Sequence, residues 1–164
     1  MSSDLRERLT DGMLTVRMRA LFTMRLDVRP IVDLGQTPST HRRVGVVFGG
    51  EFEGERLAGT VLDGGSDWQS VRTDGSTLLD VRLNLKTTGG SLIAMSYRGV
   101  RHGPGDVIAR LERGEAVAPD SYYFRIEALF ETSAGEFDWL NRILAIGVGH
   151  RFEDGPVYNL FEVL

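Results

Sequence analysis

The stretch Leu14–Val28, LTVRMRALFTMRLDV, decides the fold class of this chain. Apolar side chains occupy every second position, and threonine, arginine and aspartate lie between them, with Leu21 as the one exception. A period of two over this length is typical of a β-strand that buries one face and exposes the other. Pro30 ends the predicted strand because proline cannot donate a backbone hydrogen bond to a neighbouring strand.

Shorter strand patterns fill most of the remaining chain, and glycine-rich turns separate them. A polar loop is predicted over Asp33–Ser39, and a strand interrupted by Gly49-Gly50 follows it. In full, the further strands are predicted at Val44–Phe52, Leu57–Leu62, Leu78–Lys86, Ser91–Val100, Ser121–Thr132, Phe137–Arg151 and Val157–Leu164. A helical turn at Trp139–Asn141 is the alternative inside the sixth of these.

One helix is predicted near residues 105–114, with Asp106 as its N-cap and Gly114 at its C-terminal end. Strands joined by short turns favour a sandwich or a barrel over βαβ units, and barrel closure removes unpaired edges. We therefore predict an all-β, mainly antiparallel fold: a closed small barrel of about eight or more strands with one short helix. Residues 1–12 are predicted as a flexible segment, and residues 13–164 as a single barrel domain.

Composition excludes several classes of function. The 164 residues contain no cysteine, so thiolate metal sites, disulfides and cysteine nucleophiles are absent. A net charge of −4 argues against a nucleic-acid partner. The three histidines are scattered, and no phosphate-binding loop is present, so we expect neither a metal nor another cofactor. The polar N-terminus and the lack of a long apolar run predict a cytoplasmic protein without a membrane partner.

Three segments together resemble a known family. They are the glycine-rich region from Phe48 to Trp68, the region Asp74–Gly90, and a third region that joins Tyr122–Thr132 to Trp139–Asn141 and the glycines beyond. In this order they are similar to the bacterial and fungal family named domain of unknown function 3237, over about Leu14 to the C-terminus. The resemblance implies a small β-barrel with a ligand cavity, and cofactor-free chemistry in secondary or aromatic metabolism. Gly89-Gly90 departs from the Asp-Gly that the family often carries at this turn.

Asp67 and Trp68 follow a glycine-rich turn that would present them at the mouth of a barrel. An apolar indole beside a carboxyl removes water from it and raises its pKa towards a useful acid/base range. The alternative is a turn aspartate that binds its own backbone beside a packed tryptophan.

Asp80 and Arg82 lie two residues apart in a predicted strand, so their side chains leave the same face. Alternation with Leu79 and Val81 favours a solvated outer face. Their position in the family motif favours the barrel interior, where the pair would orient a polar ligand. Both placements stay open at this stage.

Tyr123, Arg125 and Glu131 share one face of the strand predicted over Ser121–Thr132. The guanidinium and the carboxyl would clamp a carbonyl or phenolate oxygen and supply a proton, and the tyrosine would contact a ring. A structural ion pair beside a surface tyrosine is the alternative.

Trp139 and Asn141 share a face if their segment is extended. The indole would then stack on a substrate ring, and the amide would bind a carbonyl. Alternatively, the pair caps one end of the barrel. Tyr97 is predicted to line the same cavity.

These residues predict a cofactor-independent acid/base enzyme, an isomerase, cyclase, hydratase or lyase, acting on a small aromatic or polyketide-like molecule in the barrel cavity. The catalytic set is expected to converge on that cavity and comprises Asp67, Arg82, Arg125 and Glu131. The substrate-binding set comprises Trp68, Asp80, Tyr97, Tyr123, Trp139 and Asn141. A non-catalytic barrel that binds the same class of ligand is the first alternative. A structural homo-oligomer with an incidental cavity is the second.

Overall fold

The computed structural model describes residues 4–164 and consists mainly of β-strands. The strands are β1 (Met18–Val28), β2 (Val32–Gln36), β3 (His41–Glu53), β4 (Gly59–Val61), β5 (Gly65–Val71), β6 (Thr77–Thr87), β7 (Leu92–His102), β8 (Tyr123–Glu131), β9 (Ala145–Phe152) and β10 (Gly155–Val163). Of the two α-helices, α1 (Asp11–Leu14) precedes β1, and α2 (Gly105–Glu112) lies between β7 and β8. Short 3-10 helices lie at Leu5–Arg8, Pro119–Ser121 and Gly135–Arg142.

The sheet closes on itself as an eight-stranded antiparallel barrel, which confirms the predicted fold class. Strands β6 to β10 pair in sequence order, β10 pairs with β1, and β1 pairs with β3. Strands β4 and β5 lie one after the other in the same place in the barrel, and each of them pairs with both β3 and β6. Strand β2 pairs with β3 and lies outside the closed path.

Alternation along the strands decides which side chains fill the barrel. In β6 every odd-numbered residue from Thr77 to Thr87 is buried, and the residues between them are mostly exposed. The same rule puts the odd residues of β7 and the even residues of β8 inside. Leucine, valine, methionine and phenylalanine dominate these inward positions, so most of the barrel is a packed apolar core.

Several predicted boundaries are wrong. The first strand begins at Met18, because Asp11–Leu14 is helical. The predicted loop Asp33–Ser39 overlaps β2. Gly135–Arg142 is a 3-10 helix, which confirms the helical turn given as the alternative at Trp139–Asn141 and not the strand predicted from Phe137. The predicted flexible segment 1–12 includes residues 1–3, which lie outside the described residues, and its flexibility stays a prediction.

The predicted helix near 105–114 is confirmed as α2, but its cap is different. Pro104 is the N-cap, and Asp106 lies in the first turn without serving as the cap. Leu111 is buried, and Val107 and Ile108 pack against the core, so α2 holds one apolar stripe against the barrel.

The two ends of the barrel differ in chemistry. At one end the buried carboxylate of Glu162 accepts hydrogen bonds from Arg19 at 2.8 Å and Arg56 at 2.6 Å. The Arg56 guanidinium also lies over the Trp139 ring, 4.3 Å from its centroid. Antiparallel pairing puts the end of β7 and the starts of β8 and β10 at the opposite end, where a cavity opens.

Candidate functional site

A cavity of about 340 Å³ lies at the end of the barrel opposite Glu162, and we call it the mouth cavity. Its rim is formed by residues 28–31 at the end of β1 and by residues 152–156 around the turn that joins β9 to β10. Its deeper wall carries the side chains of Asp67, Gln69, Leu79, Arg101, Phe124, Arg151 and Tyr158. Four strands, β5, β7, β9 and β10, thus supply polar groups to one enclosed space.

Asp67 lies within β5, not on the predicted turn, and its carboxyl points into the barrel. Gln69, two residues further on the same face, donates a 2.7 Å hydrogen bond from Nε2 to Oδ2 of Asp67. The other oxygen, Oδ1, is buried and has no hydrogen-bond partner. Burial raises the pKa of Asp67 from 3.8 to about 6, although Gln69 and the nearby arginines oppose the shift.

Arg101 is the least exposed charged side chain of the mouth cavity, at 6%. Among residues 4–164 its guanidinium has no hydrogen bond or ion pair within 4 Å. It lies 5.7 Å from the centroid of the Phe124 ring. Burial lowers the pKa of Arg101, and the charges of Arg151 and Arg43 lower it further. The guanidiniums therefore repel each other at this site, a costly arrangement for side chains with a purely structural role.

Two packed tyrosines lie at the wall, and one of them, Tyr158, lines the cavity. Tyr158 and Tyr97 are each 2% exposed, and their ring centroids are 5.4 Å apart. Burial raises the pKa of both phenols, and the negative charge of Asp67 raises the pKa of Tyr158 further. Both hydroxyls therefore stay protonated at neutral pH, and Tyr158 can donate a hydrogen bond to a molecule in the cavity. Tyr97, a predicted site residue, packs against Tyr158 in the barrel interior.

Gly149 makes room for the aromatic wall. It pairs with Tyr158 across β9 and β10, and a Cβ at this position would lie 2.8 Å from Cδ1 of Phe124. The Phe124 and Tyr158 rings pack edge to face with centroids 5.4 Å apart. A side chain at position 149 would push Phe124 into the cavity, so this glycine sets the width of the wall.

The predicted convergence of Asp67, Arg82, Arg125 and Glu131 is wrong. Arg82 pairs in register with Ser66, one residue from Asp67, so it leaves the opposite face of the sheet and is exposed. Glu131 is also exposed, and Arg125 lies on the outer face of β8. The physical reason is that apolar residues of β6 and β8 fill the interior, which leaves the polar positions outside.

The outer face nevertheless brings three predicted site residues together. Trp68, Asp80 and Arg125 line a groove of about 570 Å³ that runs across β5 to β9. Trp68 is 48% exposed there, on the opposite face of β5 from Asp67, so its indole does not shield that carboxyl. Tyr123 is exposed on the same side, with Arg125 4.9 Å from its ring centroid. Water and salt screen charges in such an open groove, so its charged side chains would attract a charged ligand less strongly than those of the mouth cavity.

Trp139 and Asn141 belong to the other end of the barrel. Asn141 accepts a 2.8 Å hydrogen bond from the Thr132 backbone amide and donates one of 2.9 Å to the Thr132 carbonyl. Trp139 packs under Arg56. These contacts match the alternative stated for the pair, a cap on one barrel end, and they separate it from Asp67.

Sequence reasoning missed Gln69, Arg101, Arg151 and Tyr158. A usable signal exists for Arg101: in β7 the odd positions Ile93, Met95 and Tyr97 are buried, and an arginine continues that apolar series. A charged residue on the apolar face of an alternating strand indicates a buried charge. The predicted strand ended at Val100, one residue too early to include it.

Within residues 4–164, no group of three or more histidine, aspartate or glutamate side chains is arranged to hold a metal ion. In the same part of the chain, no helix is both long enough and apolar enough to span a membrane. The expected absence of a cofactor stays a prediction.

Solved structures of similar proteins share this barrel. A conserved protein of Rhodopseudomonas palustris, RPA1785, is 31% identical with a TM-score of 0.88, covering 92% of this chain and 99% of the other. A β-barrel-like protein of Acinetobacter baumannii is 34% identical with a TM-score of 0.80 and coverages of 92% and 97%. A structure described as an enzyme from Penicillium herquei is 20% identical, with a TM-score of 0.71 and coverages of 95% and 100%, and shows the fold alone.

Sequence comparison gives the same grouping. The Rhodopseudomonas palustris protein is named a UPF0311 protein, and the identity of 31% extends over 150 residues, or 92% of this chain and 98% of the relative. A UPF0311 protein of Clostridium acetobutylicum is 28% identical over 144 residues, 87% of this chain and 91% of the relative. The model of the family described as protein of unknown function (DUF3237) matches residues 16–163. Together with the closed barrel, this match over nearly the whole chain makes the protein a member of the DUF3237 family.

Proposed function

We propose that this protein is a cofactor-independent acid/base enzyme that acts on a small aromatic or polyketide-like molecule in the mouth cavity. Asp67 moves the proton. One observation carries the proposal: Oδ1 of Asp67 is buried without a hydrogen-bond partner, inside a cavity that also holds Arg101 and Tyr158. A structural carboxyl in such a place would have both oxygens bonded, because an unmet buried charge is costly.

The geometry supports proton transfer next to a carbonyl group. With a pKa of about 6, Asp67 is mostly ionised at neutral pH and is a stronger base than an ordinary aspartate. It removes a proton from a substrate carbon, and the C–H electron pair moves onto the carbonyl oxygen. The guanidiniums of Arg101 and Arg151 stabilise that negative charge. Asp67 then returns the proton to another carbon, which is a net isomerisation.

The same intermediate leads to two of the other predicted reactions. Expulsion of a β-leaving group from the enolate gives a lyase, and attack of the enolate carbon on an internal acceptor gives a cyclase. The Tyr158 hydroxyl, which stays protonated, is placed to donate a hydrogen bond to the oxygen that gains charge. Arg101 and Arg151 thus take the role that the sequence assigned to Arg82 and Arg125.

The size and the lining of the cavity support a small ring substrate. Its volume of about 340 Å³ falls at the lower end of the range for small-molecule sites, roughly 300–1,000 Å³. Phe124 and Tyr158 give it an aromatic wall, and Phe152 and Pro156 add apolar surface at the rim. The similar fold described as an enzyme from Penicillium herquei supports the idea that such a barrel can house catalysis.

The alternative is a barrel that binds the same class of ligand without converting it. The cavity holds Asp67 as its one deeply placed carboxyl, and Glu153 and Asp154 lie at its exposed rim. A single carboxyl beside arginines also suits ligand binding. Turnover is therefore the measurement that separates the two functions.

Deuterium exchange tests the enzyme directly. A panel of aromatic ketones and cyclic β-diketones is incubated with the protein in deuterated buffer, and carbon-bound deuterium is followed by NMR. We expect exchange with at least one compound, and we expect Asp67→Asn to slow it about 100-fold or more. Glu131→Gln, on the outer face, is the matched control and should leave the rate unchanged. Binding of a panel member with no exchange above the buffer rate would contradict the enzyme and favour the binding protein.

A further inference from the structure

The deep part of the mouth cavity contains more positive than negative groups. Arg101 and Arg151 line the cavity together with Asp67, and the positive charges of both, and of Arg43, lower the pKa of that carboxyl. Arg43 has its own partner, because its Nη1 lies 3.2 Å from Glu112 of α2. Among residues 4–164, neither Arg101 nor Arg151 has a carboxylate within 4 Å of its guanidinium. Two guanidiniums therefore face a single carboxylate.

The opposite end of the barrel shows how this protein treats a buried charge that is structural. Glu162 is 6% exposed, and both Arg19 and Arg56 bond it directly. Burial raises the pKa of Glu162, but the two arginines together outweigh burial and lower it. A structural charge is thus paired within the fold. Arg101, equally buried, is not.

Charges at the rim do not remove the imbalance. Arg29 and Asp63 are both exposed, and Nη2 of Arg29 lies 3.9 Å from Oδ2 of Asp63. Glu153 and Asp154 are exposed at the turn between β9 and β10, so water and salt screen their effect on the cavity floor. Together with ionised Asp67, one further negative charge as deep in the cavity as Arg101 would neutralise the two guanidiniums.

We propose that the mouth cavity takes a ring molecule that already carries one negative oxygen group, a carboxylate or an ionised enol, and that Arg101 and Arg151 bind this group. The proposal rests on the proposed function for the identity of the site. A guanidinium matches a planar oxygen pair with two parallel hydrogen bonds, which suits both groups. Phe124 and Tyr158 then contact the ring.

Asp67 opposes such a ligand through its own negative charge, so binding should depend on its protonation. The groups that face it from the surrounding strands are Arg43 of β3, Gln69 of β5, Tyr97 and Arg101 of β7, Arg151 of β9 and Tyr158 of β10. Asp67 carries the one carboxyl among these groups. Because its pKa is raised to about 6, an anion that stays ionised should bind more tightly at pH 5.5 than at pH 8.

Benzoate and benzamide, which have the same shape and differ in charge, are the first pair of probes. Calorimetry of the unmodified protein at pH 6.5 should show benzoate binding at least 10-fold more tightly than benzamide. The ionised enol 4-hydroxycoumarin, compared with coumarin, forms the second pair and distinguishes the two oxygen groups. Equal affinities within both pairs would overturn the inference, and this comparison needs no variant.

Variants then locate the anion. Arg101→Gln should weaken benzoate binding at least 10-fold, and Arg101→Lys should restore part of it. Arg98→Gln, on the exposed face of the same strand, is the matched control and should have no effect. Asp67→Asn should tighten benzoate binding at pH 8 and abolish the pH dependence. Equal effects of the Arg98 and Arg101 variants, with both proteins folded by circular dichroism, would contradict the assignment.

Failure of this inference and failure of the proposed enzyme give different results. Binding of benzoate without any deuterium exchange leaves the anion site in place and contradicts the enzyme. Deuterium exchange on neutral ketones, without tighter binding of anions, supports the enzyme and contradicts the anion site.

Discussion

Arg43 of β3 contacts Glu112 of α2, with 3.2 Å between Nη1 and Oε1, and this ion pair joins the helix to the barrel wall beside Asp67. In β3, Arg43 pairs in register with Gln69, the residue that bonds the Asp67 carboxyl. The helix thereby influences the charge balance of the mouth cavity without contributing a side chain to its lining.

Glu112→Gln should lower the pKa of Asp67 below its value of about 6. The positive charge of Arg43 would no longer be offset, and it would favour the ionised carboxylate. The pKa is measured by carbon-13 NMR of the Asp67 carboxyl. The free energy of unfolding should change by less than about 1 kcal/mol, because Glu112 is half exposed. An unchanged or higher Asp67 pKa would show that this ion pair does not influence the site.

Asp67→Asn should stabilise the protein at pH 8. The folded-state pKa of Asp67 is raised from 3.8 to about 6, so the folded state binds the proton more tightly than the unfolded state. Ionised Asp67 therefore destabilises the fold by roughly 2–3 kcal/mol above pH 6, and this cost disappears as the pH falls from 6 to 4. Urea unfolding of both proteins from pH 4 to 8 measures the difference.

Comparing the two proteins removes the contributions of other groups, such as Asp33 and Asp138, whose lowered pKa values act in the opposite direction. The gap in unfolding free energy should widen between pH 4 and pH 6 and then stay constant. A gap that is the same at pH 4 and pH 8 would mean that Asp67 is an ordinary aspartate.

Gly149→Ala should destabilise the protein by about 1–3 kcal/mol, because the new methyl group would lie 2.8 Å from Phe124 and force its ring to move. The displaced ring narrows the mouth cavity, so benzoate affinity should fall as well. Gly135→Ala is the matched control, since no atom lies within 4 Å of a Cβ there. Thermal unfolding and calorimetry provide the two readouts, and a loss of stability equal to that of the control would disprove the steric reason.

Glu162→Gln should separate stability from function. Removing the charge leaves Arg19 and Arg56 without their shared partner and should cost about 1–3 kcal/mol of unfolding free energy, less than for a fully buried pair because both arginines reach solvent. Benzoate binding in folded protein should be unchanged, because the mouth cavity lies at the other end. A large loss of affinity at a temperature well below unfolding would contradict the separation of the two ends.

The sequence predicted the barrel because its signal is local. Alternation in Leu79, Val81, Leu83 and Leu85 identifies a strand and its buried face without knowledge of any partner. The same alternation already favoured an outer position for Asp80 and Arg82, and the structure agrees with it. The expectation of an interior charge pair came from the family motif, which does not specify a face.

The cavity could not be derived in the same way. Its polar groups come from β5, β7, β9 and β10, and they meet only because the closed sheet brings those strands around one axis. Asp67 was selected from the sequence, but its surroundings were predicted wrongly. A turn and a neighbouring Trp68 indole were expected, whereas Asp67 lies within β5, where it bonds Gln69 and lies near Arg101. The homo-oligomer, which was one of the alternatives, stays a prediction.

By itself, the sequence determined an all-β chain with one short helix after β7, no cysteine chemistry, and a set of side chains divided by alternation into two faces. Only the tertiary structure decided which charged residues share a space, because strand register and barrel closure depend on pairings between residues far apart in the chain. Arg19 and Glu162 meet at one end across 143 positions, and Asp67 and Arg101 approach each other at the other end. The first pair is bonded and holds the fold. In the second pair, Oδ1 of Asp67 and the guanidinium of Arg101 have no bonding partner in the fold, and a reactive site requires such groups to bind its substrate.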